Sequence, residues 1–466
     1  IRPTQRSSIT LPTKPHVVVI GSGIAGLSTA WHLRHEARLT ILEAASRLGG
    51  HTHTRSITLN GVTGPVDTGF IVFNHQTYPL FTPWLAELGV ETSASDMSFS
   101  VSVDEGAFEW SGSNLRSVFA QPSNALRPGF WAMLREILKF NQTAPEDAAA
   151  MVAGQKTSIC LGDYLDTQGY SELFQRAYLL PMAGAIWSCP TETMRGYPLT
   201  SFVRFCSNHG LLQVQNRPPW YTLSQGSKSY IDAMLGRMQE EKVLPEVRLG
   251  HRVESLAPVP ASQKAGSDGQ HFGLEIGGHD QQTHAPFQLH ADAVVLACHS
   301  NQAAQILNGT QHPALPMLHA IDFQPNTAYL HLDASLMPRR RAAWASWNYL
   351  NQSTQEASSA VSVTYWMNRL QPLAFSEDVF VSLNPHRPPD PKKTLEEVHY
   401  EHPIFSEAAV KAQADLLGVQ GSQGVWFAGA WTGFGFHEDG FRAGKQAADS
   451  LRSRVCSASA SLAKAA

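Results

Sequence analysis

Apolar and polar positions change rhythm several times along the chain, and each change marks an element. Val17, Val18, Val19 and Ile20 form a continuous apolar run, as expected of a parallel strand buried on both faces. Gly21-Ser22-Gly23-Ile24-Ala25-Gly26 follows at once, and Leu27, Ala30, Trp31 and Leu33 recur at helical spacing. Leu39, Ile41 and Leu42 mark a second strand that ends at Glu43. The stretch predicts a βαβ unit carrying Gly-x-Gly-x-x-Gly. Gly21 allows the tight turn, and Gly23 leaves no side chain against a pyrophosphate. Gly26 lets helix and strand approach, and Glu43 accepts from a ribose hydroxyl. Around Ser22, Ile24 and Ala25 the helix start offers free N–H groups and a positive dipole end to phosphate.

Beyond this unit Phe99, Phe108 and Trp110 alternate in strand fashion. Phe130, Met133, Leu134, Ile137 and Leu138 make one apolar stripe and predict a helix over 128–141. The pattern stays helical to about Ser207, and Gly226 to Tyr230 starts another helix. A strand is predicted over 247–256, then a hairpin and loop over the polar insert 258–290, then a buried strand over 291–298 that brings Ala297 to the nucleotide sheet. Further strands are predicted over 327–332, 361–367 and 379–383. Val425 to Gly429 reads as a short buried strand, and a closing helix is predicted from Asp439 or Gly440, carrying Phe441. Residues 457–466 read as a frayed tail.

The pattern divides the chain. Segments 1–96, 208–315 and 421–456 form a nucleotide-binding unit, 97–207 (helix-rich) and 316–420 (β-rich) form a substrate unit, and 457–466 form the tail. The predicted class is α/β: a Rossmann-type dinucleotide-binding domain with a discontinuous α+β substrate domain.

Composition narrows the function. The chain has 466 residues, 43% apolar and 16% charged, enough for two or three structural units and too apolar for disorder. A net charge of −4 gives no footprint for nucleic acid. No apolar run is long enough to span a bilayer, and the opening residues lack the apolar core of a secretory signal. Five cysteines, far apart and without CxxC, suit reduced thiols. The expected location is cytoplasmic, with peripheral contact at the inner membrane face. His51 and His53 have no third ligand nearby, so local hydrogen bonding is expected and no metal. Arg339-Arg340-Arg341 reads as a solvated loop, with contact to a lipid headgroup or carboxylate as the sharper alternative.

After Glu43 the chain reads Ala44-Ala45-Ser46-Arg47-Leu48-Gly49-Gly50-His51-Thr52. This resembles the E-A-x-x-R-x-G-G segment of flavoproteins in the monoamine oxidase, phytoene desaturase and protoporphyrinogen oxidase group. Val66 to Pro79, Met182 to Pro190, Phe202 to Met234 and Phe427 to Leu451 resemble a bacterial family of predicted NAD/FAD-binding, amine-oxidase-like flavoproteins. Its members accompany cyclopropane fatty acid synthase-type lipid-modifying enzymes. The resemblance covers about 17–451 and implies FAD. Ala44, Arg47, Gly49, Gly50, His51 and Thr52 would form a second pyrophosphate clamp. Gly69, Phe70 and Ile71 would face the isoalloxazine ring, and Val253 the adenine end. Gly429, Ala430, Phe436, Asp439, Gly440 and Phe441 would lie at the flavin edge, where a helix dipole stabilises negative charge. The closing motif holds no cysteine, so the FAD is expected to be non-covalent.

His437 and Glu438 are the acid–base candidates that the sequence puts beside the ring, each with a structural hydrogen bond as its alternative. The lysine that amine oxidases place at the flavin is not assignable; Lys228 and Lys445 sit in helices. Trp431 and Phe434 replace the usual tyrosine region. Trp187, Trp220, Tyr221, Tyr365, Trp366 and Trp431 are candidates for an aromatic substrate pocket, set against plain core, the role aromatics most often fill. The expected function is an FAD-dependent oxidoreductase that moves a hydride from a hydrophobic substrate, an unsaturated or modified acyl chain, to flavin N5. The alternatives are a double-bond isomerase, an amine oxidase, or a non-catalytic FAD-bearing partner of a lipid-modifying enzyme. The expected partners are a hydrophobic or lipid substrate, a membrane surface and such an enzyme.

Overall fold

The computed structural model describes residues 14–213, 217–259, 273–351 and 361–456. A five-stranded parallel sheet runs Val425–Phe427, Ala293–Leu296, His16–Ile20, Arg38–Leu42, Glu246–Arg248. Val17, Val18 and Val19 are fully buried, because successive side chains point to opposite faces and both are covered. Val17 and Val19 pack with helices Ile24–Leu33 and His437–Leu451. Val18 and Ile20 pack under an antiparallel sheet of His251–Pro258, Leu274–Asp280 and Pro286–Ala291. This is the Rossmann-type α/β arrangement that the apolar runs predict.

The two helices meet closely. A Cβ on Gly444 would lie 2.2 Å from Ala25 O, and one on Gly440 2.7 Å from Ile24 Cγ2. Ser28 Oγ donates to Phe441 O at 2.7 Å across the crossing. A seven-stranded mixed sheet runs Thr394–Pro403, Phe323–His331, Phe380–Leu383, Ser362–Trp366, Trp347–Asn351, Phe99–Val103, Phe108–Ser111. Helices Pro128–Val152, Leu180–Trp187 and Leu199–Asn208 close an aromatic core against it, with Phe130, Phe140, Phe174 and Phe202 fully buried.

Several elements differ from the sequence reading. The strand predicted over 247–256 is two strands in different sheets, because Gly250 at φ +69 turns the chain between them. The helix predicted to 141 continues to Val152 with Pro145 inside. Leu138 leaves its buried stripe and is 57% exposed. The closing helix begins at His437, one turn before Gly440, since Asp439 accepts from the N–H of Phe434 and Phe436 at 3.0 and 3.1 Å and so caps it from within. Arg339, Arg340 and Arg341 are not a free basic cluster. They pair with Glu105, Glu109 and Asp378 at 2.7, 2.9 and 3.0 Å, and Glu109 is fully buried. The opening residues 1–13, the middle of the polar insert (260–272) and the tail 457–466 lie outside the described residues.

Candidate active site

One cavity of about 1400 Å³ runs from the glycine turn at Gly21–Gly23 to the aromatic core of the second unit. That exceeds the ~300–1,000 Å³ of a pocket for one small ligand, so it has room for two.

At the nucleotide end, Gly21 has φ +101, and a Cβ there would strike Ala297 O at 2.8 Å. A Cβ on Gly23 would meet nothing within 4 Å, and Gly23 lines the cavity. Gly26 does not line it; its Cβ would lie 2.0 Å from Gly21 O, so this glycine serves packing. Glu43 lines the cavity and accepts from Ser22 N at 2.8 Å, Ser22 Oγ at 2.5 Å and Ala45 N at 2.8 Å. Ile24, Ala25, Ala44 and Val253 also line it. The second turn presses against the first: Gly23 and Gly49 form a β-bridge, and a Cβ on Gly50 would come within 3.2 Å of Gly23 Cα. Arg47 lines the cavity, but its guanidinium donates to Gly50 O and Thr52 O at 2.8 and 3.0 Å, so it also builds the turn. Thr52 lies behind, 2.6 Å from Tyr230 Oη.

Further along, Gly69, Phe70 and Ile71 line the cavity with Gly429, Ala430, Phe436 and His437. A Cβ on Gly69 would strike His51 O at 2.1 Å. Asp67 holds this turn to the helix at Lys228–Glu240. It accepts from Thr54 Oγ1, Ser227 N, Ser227 Oγ and Gln371 Nε2 at 2.5 to 2.9 Å. Burial pushes its carboxyl up to about 6 against these donors. His437 stacks on Phe70 at 3.7 Å, and its Nε2 lies 3.0 Å from Tyr230 Oη. Burial lowers it to about 3, so the ring is neutral. His51 also lines the cavity, stacked on Tyr400 at 4.9 Å, with its buried Nε2 lacking a hydrogen-bond partner.

Glu438, Asp439, Gly440 and Phe441 do not line the cavity. Glu438 is 3% exposed and accepts from Leu80 N and Phe81 N at 3.1 and 3.0 Å, which fixes the first turn of helix Phe81–Glu87. Gly440 and Phe441 belong to the helix crossing.

At the substrate end Trp220 and Tyr365 line the cavity, together with Trp110, Tyr178, Met182 and Phe205. Trp431 lines it too, but from the nucleotide side, where its Nε1 donates to Cys298 O at 3.0 Å. Trp187 packs behind Phe205 at 4.6 Å, Tyr221 stacks on His75 at 4.2 Å, and Trp366 donates to Asp378 Oδ1 at 2.9 Å; none of the three lines the cavity. The described lining residues include no lysine. Lys228 and Lys445 pair with Asp232 and Asp449 on their own helices.

His209 is a cavity-lining titratable group that the sequence reading did not single out. It lines the cavity between Phe205 and Trp220, and its ring lies 5.5 Å from that of Phe436. Its Nδ1 lies 2.9 Å from Phe205 O and therefore donates, which leaves the Nε2 lone pair as acceptor. Burial lowers it to about 4. The signal was a histidine one residue past an amphipathic helix.

An FAD suits this lining: an open glycine turn, a carboxylate at the end of the second strand, and a second glycine turn against the first. A model of the flavin-containing amine oxidoreductase family matches residues 24–373. No curated protein matches in sequence. Putrescine oxidase bound to putrescine is similar in structure, with 14% identity, 95% of this chain and 99% of that one covered, and a TM-score of 0.62. Cyclohexylamine oxidase from Brevibacterium oxydans IH-35A gives 16%, 94%, 99% and 0.60. The CLA-producing fatty acid isomerase from P. acnes gives 12%, 96%, 100% and 0.59. At these identities the likeness is one of fold. With the family model spanning three quarters of the chain and a dinucleotide cleft to match, the chain belongs to the flavin-containing amine oxidoreductases and is an FAD-dependent oxidoreductase.

Proposed function

We propose that the protein oxidises a hydrophobic substrate, an unsaturated or modified fatty acyl chain. One observation carries this reading: the substrate end is lined by Trp110, Tyr178, Met182, Phe205 and Tyr365 and, among the described residues, by no lysine. Each methylene buried there contributes about 0.8 kcal/mol to binding. FAD held along Gly21–Gly23, Glu43 and Gly49–Gly50 supplies the hydride acceptor. The aromatic walls exclude water, and His209 Nε2 offers a lone pair to a substrate proton. His437 orients Phe70 and Tyr230 rather than titrating. The cofactor is held without a covalent bond. Cys298 is the cysteine in the cavity lining, and burial pushes its thiol up to about 12, away from the reactive thiolate. The division into a nucleotide unit (1–96, 208–315, 421–456) and a substrate unit (97–207, 316–420) belongs to the same proposal and is supported by strand membership of the two large sheets.

The test is anaerobic mixing of the yellow holoenzyme with detergent-solubilised unsaturated acyl chains while flavin absorbance is followed. Bleaching is the expected result. Bleaching by amines alone overturns the reading. Conversion of the acyl chain with the flavin oxidised throughout and no peroxide made replaces it with double-bond isomerisation, which the same apolar walls would serve.

A further inference from the structure

Four large apolar side chains stand in solvent on one part of the second unit. Leu115 is 79% exposed, Leu126 87%, Trp131 46% and Leu138 57%. They are neighbours. Trp131 Nε1 donates to Ala125 O at 2.9 Å, beside Leu126, and its ring lies 5.7 Å from that of Phe119. Phe119 N donates to Leu115 O, one turn back. Trp131 and Leu138 are two turns apart on helix Pro128–Val152. Arg116, Arg127 and Arg135 are exposed among them, and the sequence from 110 to 135 contains no aspartate or glutamate. Glu136, which ends that stretch, accepts from Ser171 N and Oγ at 3.0 and 2.5 Å. Gly112 and Ser113, three and two residues before Leu115, are exposed and line the cavity.

We propose that this face docks onto an anionic lipid bilayer and brings the cavity mouth at Gly112–Ser113 to the acyl chains. Protruding leucines and a tryptophan insert below the headgroups while arginines between them meet lipid phosphate; an apolar patch whose segment 110–135 carries three arginines and no aspartate or glutamate fits that surface. Tryptophan prefers this boundary because its ring is apolar and its N–H polar. No described helix is long and apolar enough to cross a membrane, and the contact proposed is interfacial. The inference rests on reading the cavity as a site for an acyl chain, since a soluble substrate would give the mouth no reason to face lipid. It replaces the triple arginine at 339–341 as the lipid-facing charge.

The test is co-sedimentation of holoenzyme with vesicles of phosphatidylcholine alone and of phosphatidylcholine with phosphatidylglycerol. Binding to the anionic vesicles, weakened by salt, is expected. Arg116→Glu/Arg127→Glu/Arg135→Glu lowers the partition coefficient by about fivefold or more per arginine lost. Leu126→Asp/Trp131→Asp abolishes binding; flavin content and melting temperature check that this variant is folded, and the arginine variant carries the test if it is not. Wild type that stays in the supernatant, or variants that bind as well as wild type, overturn the proposal. So does a wild-type dimer that Leu126→Asp/Trp131→Asp converts to monomer, because the face then covers a second copy. Vesicle binding is read without turnover, and bleaching by detergent-solubilised chains without vesicles, so failure of docking and failure of the acyl-chain reading are separable.

Discussion

Replacing Gly23 by valine tests whether the open glycine of the first turn serves a ligand. Gly23 has φ −62 and ψ 176, a conformation valine adopts readily, and its Cβ would meet nothing within 4 Å. Gly23 is also the N-cap of helix Ile24–Leu33, where valine is disfavoured, so apoprotein stability should fall by no more than about 1 kcal/mol. The new methyl groups would stand in the cavity where a pyrophosphate must approach the backbone, and FAD affinity should fall at least tenfold, about 1.4 kcal/mol. Urea denaturation with and without FAD reads both quantities. With FAD at about one hundred times the wild-type dissociation constant, wild type gains about 2.7 kcal/mol and the variant about 1.4. Gly26→Ala is the control: its Cβ would sit 2.0 Å from a backbone oxygen, so the apoprotein itself should lose about 1–3 kcal/mol. An equal FAD-dependent gain in wild type and Gly23→Val refutes the assignment, as does apoprotein damage in Gly23→Val comparable to that in Gly26→Ala.

Two further outcomes are expected. Glu438→Ala should lower stability by about 1–3 kcal/mol, because it strands the buried N–H of Phe81 and the partly buried N–H of Leu80, and leave flavin reduction unchanged. His209→Gln should slow reduction and flatten its pH profile at little cost in stability, and the reverse pattern would exchange their roles. Apoprotein stability should fall on acidification from pH 6.5 toward 4. Buried His209, His331 and His437 are lowered to about 4, 4 and 3, so the unfolded chain binds more protons in that window, at up to about 1.4 kcal/mol per pH unit for each. Asp67, raised to about 6, acts in the opposite sense, its contribution present below 3.8 and lost as pH rises, and the raised carboxyls of Glu438 and Asp439 join it; the lowered histidines, with His53 and His402 also at about 4, outnumber them. A urea midpoint at pH 5 equal to or above that at pH 7 contradicts this.

The nucleotide end was legible in the sequence because its determinants are local. The strand, turn, helix and acid lie within residues 17–43, and each spacing has its own physical reason. The strand ending at Gly429 and the glycine pair 49–50 were legible for the same cause. The roles of side chains near the closing helix were not. Glu438 faces Leu80 and Phe81, more than 350 positions away, and no spacing within 437–441 reveals that. The arginines at 339–341 looked free because Glu105 and Glu109 are more than 220 positions upstream. His209 resembles any helix-terminal histidine until Trp220 and Phe436 come around it. Gly250 carried a signal for the break between two strands, and continuous β-pattern on either side masked it.

The crossing between the helices at 24–33 and 437–451 joins Ser28 to Phe441, 413 positions later. At about 5–20 residues per second, a ribosome that has emitted Ser28 needs roughly 20–80 s more to deliver its partner. Over that interval the nascent chain lacks an outer sheet strand and one wall of the cleft. The cleft is therefore completed only when residues 425–441 have been made, and a polypeptide that stops before residue 437 lacks the helix that packs on the first βαβ unit.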